Sequence, residues 1–230
     1  MESVNEAGAL VASGWCRWML NRGIIAKDPF LGARPPRVPR LAVRTIPRAG
    51  IGELYAAAPD ARGKLIVGLM HELGLRAVEV SRLDIEHIDW HRRTVRVSGK
   101  GGHERVVPIT DRLVALTETY LVQFPAAAGP LIRGYNTGNR VRPGTISGWL
   151  RVWLYEAGLK KFPHDRIGGH ALRRTAATET YAATKDIAVV KELLGHADYA
   201  SVTAYVAAAD VSRMREALDL RDRLGAECAT

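Results

Sequence analysis

Cysteine is almost missing from this chain. Cys16 and Cys228 are the only two among 230 residues, too few for a disulfide framework and at no zinc-ligand spacing. A reducing cytoplasm is the expected compartment. Long apolar runs are missing too: nothing approaches the roughly 20 consecutive apolar residues of a membrane-spanning helix, so no membrane partner is expected. Residues 1–20 carry Glu2 and Glu6 and lack the basic-then-apolar layout of a secretory signal. Internal repeats and low-complexity tracts are absent. Acidic residues are in deficit, 24 against 33 Lys and Arg, for a formal charge of +9. That imbalance favours a polyanionic partner, most simply DNA or RNA. What is present in ordinary amount is hydrophobic residues, 47% of the chain, enough for a real core.

Taken in order, residues 4–22 read as a helix, with Val11, Trp15, Trp18 and Met19 at apolar spacing. Pro29, Pro35, Pro36, Pro39 and Pro47 then break regular structure, and six arginines fall between Arg22 and Arg48. This is an extended basic linker, either a solvated tether or a strand of charge lying along a phosphate backbone. From about Gly50, helices are expected over 51–60 and 61–75, the second burying Leu65, Ile66, Leu69 and Met70. Arg76 opens another helical segment, with Glu79 three residues on and Val78, Val80 and Leu83 facing inward. Between Ile85 and Ile109 the pattern changes to three short Val/Ile-rich runs, 85–90, 93–99 and 104–109, the last two joined by the glycine-rich turn GKGGH with Lys100 at its tip. Helices return over 111–123 and 145–157, separated by a loop over 126–143; residues 162–169 form another loop. A final amphipathic helix is expected over Val211–Leu224. The fold class is therefore mainly α (α+β): a helical domain with a small three-stranded antiparallel sheet.

The chemistry-bearing side chains gather towards the C-terminal end. His170 and Arg173 are three apart and share one helix face. The apolar run Val189, Val190, Leu193 and Leu194 stops at Gly195, and His196 follows. Tyr205 comes nine residues later, on a short helix that Asp198 or Ser201 would cap. Imidazoles, a guanidinium and a phenol in one neighbourhood suit chemistry on a phosphate.

Four separated segments resemble the tyrosine recombinases, or phage-type integrases, in that family's order. GLRAVEVSRL is similar to the segment bearing the first catalytic arginine, here Arg76, with its acidic neighbour Glu79. GKGGHERVVPI is similar to the hairpin bearing the catalytic lysine, here Lys100. HALRRT matches the H-x-x-R box, His170 and Arg173, with Arg174 standing where many members carry histidine. LLGHADYASVTAY resembles the segment holding the second histidine and the nucleophile, His196 and Tyr205. The resemblance covers roughly residues 45–210. It implies the DNA breaking-rejoining fold, with residues 45–230 as the catalytic domain and its C-terminal helix. Residues 1–44 then read as the remnant of a core-binding helix plus the basic Pro-rich linker. Members usually carry a complete core-binding domain that closes a clamp on DNA.

The residue types suit the implied reaction. Arg76 and Arg173 can fork onto nonbridging phosphate oxygens, where negative charge grows in the transition state. His196 adds a hydrogen bond there. A phenol with pKa about 10 needs its proton removed, and His170 is the candidate acceptor. Lys100 is the candidate general acid for the departing 5′ oxygen. The resemblance implies that Glu79 orients Arg76 or a histidine. It also implies double-stranded DNA attachment or core sites as partner, a homo-tetramer on two duplexes, a directionality factor as a further partner, no cofactor and no metal. The same residues would serve a type IB topoisomerase-like relaxation, and a basic fold of this kind would also serve as a DNA-binding module without catalysis. His103, Arg92 and Arg93 near the hairpin are DNA-facing or merely solvated. Trp149, Trp153, His71 and His87 are read as structural.

Overall fold

The computed structural model describes residues 6–31, 45–99, 102–135, 138–161 and 167–195. The chain divides into two compact units, Met1–Ala42 and Val43–Thr230. The first holds helix α1 (Glu6–Asn21), close to the expected bounds. It ends where Gly23 takes a φ of 68°. Trp15 and Trp18 are exposed, and the Arg22 guanidinium lies 5.3 Å from the Trp18 ring centroid.

The second unit has its core around α3 (Ala61–His71). Asp60 caps this helix by accepting the Gly63 N–H at 2.8 Å. Leu65, Ile66, Val67, Leu69 and Met70 are all buried, so α3 is apolar nearly all round, as a central helix must be. Around it pack α2 (Arg48–Ala57), α4 (Ala77–Arg82), α5 (Asp111–Gln123), α6 (Pro143–Glu156) and α7 (Gly169–Thr184). Pro143 starts α6 two residues earlier than expected, because proline's fixed φ and missing N–H suit the first helical turn. Ile146, Leu150, Trp153 and Leu154 are its buried stripe. Trp149 stacks on Trp153 at 6.5 Å between ring centroids, so both belong to the packing. Helix α8 (Ile187–Leu194) lies against α7 through Val190 and Leu194, which form a small cluster with Ala177 and the partly buried Tyr181 and Ile187.

The sheet comprises β1 (Ile88–Asp89), β2 (Thr94–Ser98) and β3 (Glu104–Pro108), antiparallel in sequence order. The register pairs Val95 with Val107 and Val97 with Arg105. Val95, Val97 and Val107 point into the core and Arg96 and Val106 outward. The fold is thus the mainly helical one with a small three-stranded antiparallel sheet that the sequence implied.

Two local expectations are corrected. The run 85–90 is a strand only over its last part: Ile85–His87 is a 3-10 turn, closed by the His87 Nδ1 accepting the Asp84 N–H at 3.1 Å. Val78 is exposed, while Val80 and Leu83 are buried; on a six-residue helix only one narrow face meets the core. The helix expected over Val211–Leu224 lies outside the described residues.

Candidate active site

Arg76 stands where the chain turns from α3 into α4. Gly74 makes this turn at a φ of 60°, a conformation that favours glycine, and a Cβ there would sit 2.6 Å from Leu194 Cδ2 of α8. Arg76 is the N-cap of α4 and Glu79 its third helical residue. The Glu79 Oε2 accepts the Arg76 backbone N–H at 2.8 Å, and Oε1 accepts from the Arg76 Nη1 at 3.0 Å. This is the returning half of a capping box; the other half needs an acceptor side chain, which arginine lacks. The far end of α4 is pinned as well. Ser81 Oγ donates to the Val141 carbonyl at 2.6 Å, and Arg140 reaches the Ser81 carbonyl at 2.8 Å and the Asp84 carboxylate at 2.5 Å.

Helix α7 brings in His170 and Arg173 from 94 and more residues away in sequence. His170 is exposed in the first turn. Partial loss of solvent, then the positive charges of Arg174, Arg173 and Arg76, hold its pKa below the ordinary imidazole value. The same surroundings favour its neutral form, the form that can accept a proton. Arg173, one turn on, is only 3% exposed. Its Nη1 donates to the Gly74 carbonyl at 2.5 Å and lies 3.7 Å from Glu79 Oε2, and its Nη2 donates to the Leu194 carbonyl. Two residues beyond, Thr175 Oγ accepts the buried N–H of Ile46 at 2.8 Å, fastening the start of this unit to α7.

A third guanidinium completes the cluster. Arg105 on β3 forks onto Glu79, with Nη1 and Nη2 each 3.2 Å from a carboxylate oxygen, and its Nε donates to the Leu193 carbonyl at 2.9 Å. Glu79 is 2% exposed. Burial pushes its carboxyl pKa up, but the Arg105 hydrogen bonds, the Arg76 N–H, and the charges of Arg105 and Arg173 outweigh this and leave it below the ordinary value. Three guanidiniums around one carboxylate leave positive charge in excess, which is what a bound phosphate would neutralise. Among the described residues, no group of His, Cys, Asp and Glu could hold a metal ion.

The structure therefore brings Arg76, Glu79, His170 and Arg173 together. The two expected phosphate arginines are unequal: Arg76 is 34% exposed, whereas Arg173 is enclosed. Lys100, His196 and Tyr205 lie outside the described residues. His71 pairs with Glu179 at 3.0 Å, tying α3 to α7, and His87 closes the turn before β1, so both are structural. His103 and Arg92 are exposed, Arg92 lying 3.9 Å from the Asp89 carboxylate, and the exposed Arg93 pairs with Asp111. Arg105 is the residue that sequence reasoning missed. Its signal was the strand period: two before Val107, it had to face inward, and an inward charge needs a partner.

These features define a helical domain that assembles three arginines around a buried carboxylate, with a histidine near two of those arginines. A profile of the phage integrase family matches residues 45–211, and the chain belongs to that family. The tyrosine recombinase XerC of Neisseria gonorrhoeae is 27% identical over 198 residues, covering 83% of this chain and 64% of that protein. The XerC of Azotobacter vinelandii is 31% identical over 200 residues, covering 84% and 65%. The chain thus spans a little under two thirds of the length of these curated relatives. Among solved structures, the XerA recombinase superposes with a TM-score of 0.64 at 25% identity, over 87% of this chain and 71% of that one. A lambda integrase dimer bound to a COC′ core site superposes at 0.69 with 17% identity, over 87% and 58%, and shares the fold.

Proposed function

We propose that residues 45–230 form the catalytic part of a site-specific DNA recombinase that cleaves and rejoins double-stranded DNA through Tyr205. The observation that carries this reading is the Glu79-centred cluster of Arg76, Arg105 and Arg173 with His170 at its rim. A cationic, partly enclosed cradle with an imidazole at its rim suits a phosphodiester in transition and a phenol that must lose its proton.

The Tyr205 oxygen attacks phosphorus, the bond to the 5′ oxygen breaks, the phenolic proton passes to His170, and Lys100 protonates the departing oxygen. Arg76, Arg173 and His196 hold the nonbridging oxygens, and Glu79 orients Arg76. One phosphodiester is exchanged for another, a 3′-phosphotyrosyl bond, so rejoining by attack of a 5′ hydroxyl needs no ATP and no metal. Strand exchange on two duplexes takes four copies, and a directionality factor would bias the outcome. The basic linker ahead of residue 45 adds phosphate contacts.

The test uses nicked suicide duplexes carrying a sequence that the protein itself enriches from a random duplex library. The wild-type chain should form a covalent adduct, and Tyr205→Phe should bind the same duplex without forming one. Binding without any adduct from the wild type would overturn the reading in favour of a catalytically silent binding module. Relaxation of plasmids that lack the enriched site would move it to a type IB topoisomerase-like activity.

A further inference from the structure

Arg105 does more than neutralise Glu79. Helix α8 ends in two carbonyls that no backbone N–H within the helix can satisfy, and this end carries the negative pole of the helix dipole. Each of the two is taken by an arginine side chain: the Leu193 carbonyl by Arg105 Nε at 2.9 Å, the Leu194 carbonyl by Arg173 Nη2. Both arginines also meet the same carboxylate, Glu79. The next residue, Gly195, turns the chain out of α8 at a φ of 61°. A Cβ on Gly195 would lie 2.8 Å from Arg105 Nη1 and 3.0 Å from its Cδ. The exit of the chain from α8 is therefore laid directly over Arg105, at a backbone φ that favours glycine. In sequence, that exit leads to His196 at once and to Tyr205 nine residues later.

We propose that Arg105 is a positioning residue for the phosphodiester reaction: it locks the end of α8 to Glu79 and so registers the chain's exit from α8 against Arg76 and Arg173. The proposal rests on the recombinase reading given above. Arginine is required because the task needs three N–H directions from one planar group, two onto the carboxylate and one onto a carbonyl. The lysine ammonium carries the same charge but cannot span both partners from one point.

Arg105→Lys and Arg105→Gln, made in the full chain, test this with four measurements. The rate constant for adduct formation on the suicide duplex should fall by about 10²-fold in both variants, the cost of a displacement of around 1 Å. Duplex affinity should stay within about threefold, since Arg105 is only 12% exposed and lends little to phosphate contacts. Amide hydrogen exchange should rise by about tenfold across 190–195, while α7 over 176–182 keeps its protection. Arg105→Lys decides between positioning and mere charge neutralisation: it should keep a melting temperature near that of the wild type and still not recover the rate. Recovery of the rate by Arg105→Lys would overturn the proposal. So would a loss confined to the active fraction, following the melting temperature, with survivors reacting at the wild-type rate. Unchanged exchange at the end of α8 would overturn it as well. If the wild type forms no adduct, the recombinase reading fails, and the exchange measurement alone then decides whether Arg105 anchors α8.

Discussion

Among the described residues, two arginines are buried almost completely, and they are accommodated in opposite ways. Arg173, 3% exposed, gives its donors to two carbonyls and faces a carboxylate. Arg62, 1% exposed, is clasped between aromatic rings, 4.2 Å from the Phe124 centroid and 3.7 Å from that of Tyr135. Its Nε and Nη1 are buried and meet no acceptor among the described residues. Tyr135 in turn leans edge-on against Trp149 at 5.5 Å. A cation held by ring faces gains from stacking and polarisation but offers nothing that an anion could displace. A cation held by oxygen atoms sits in an environment built from the same kind of ligand a phosphate supplies. The first arrangement serves the fold; the second serves the fold and is also suited to chemistry.

The contrast can be broken most forcefully at Glu79. Glu79→Ala leaves three guanidiniums facing one another without their carboxylate, and the expected cost is about 3–5 kcal/mol in urea unfolding together with loss of adduct formation. Next comes Arg173→Lys, which keeps the charge but loses the fork: adduct formation should slow by about 10²–10³-fold in single-turnover assays. Arg62 should behave the other way. Arg62→Ala should lower unfolding free energy by about 2–4 kcal/mol, whereas Arg62→Met, which refills the volume and removes two unmatched donors, should recover most of it. In both Arg62 variants the folded molecules should form adduct at the wild-type rate. The smallest effect is one of pH. Because the Glu79 pKa is depressed in the folded state, its contribution is complete above the ordinary value of 4.5 and is lost as pH falls through the lower folded value. Urea midpoints measured downward from pH 6 should show that loss, Glu79→Gln should flatten it, and Arg62→Met should leave it in place.

The helices were legible because their apolar spacing is regular, as at Leu65, Ile66, Leu69 and Met70, and the sheet because Val95, Val97 and Val107 alternate with exposed neighbours. Arg76, Glu79, His170 and Arg173 were legible as a set from the order of their segments. Their inequality was not, since the enclosure of Arg173 depends on Gly74 and Leu194, each remote from it in sequence or on another helix. The Arg62 clasp was equally hidden, because it joins residues 62, 124 and 135 through ring faces that no local pattern encodes. The turn at Ile85–His87 was misread because a side chain, His87 Nδ1, closes it in place of a strand partner.

The bond from the Ile46 N–H to Thr175 has a mechanical side. Ile46 is buried near the beginning of the second unit, and its amide is hooked to α7 rather than to the helix it precedes. A pull along the polypeptide from ahead of residue 46 therefore reaches α7 two positions past Arg173 before it reaches α2. With one hydrogen bond worth about 1 kcal/mol, this hook is a weak latch: thermal motion alone opens it part of the time, and a sustained load would hold it open.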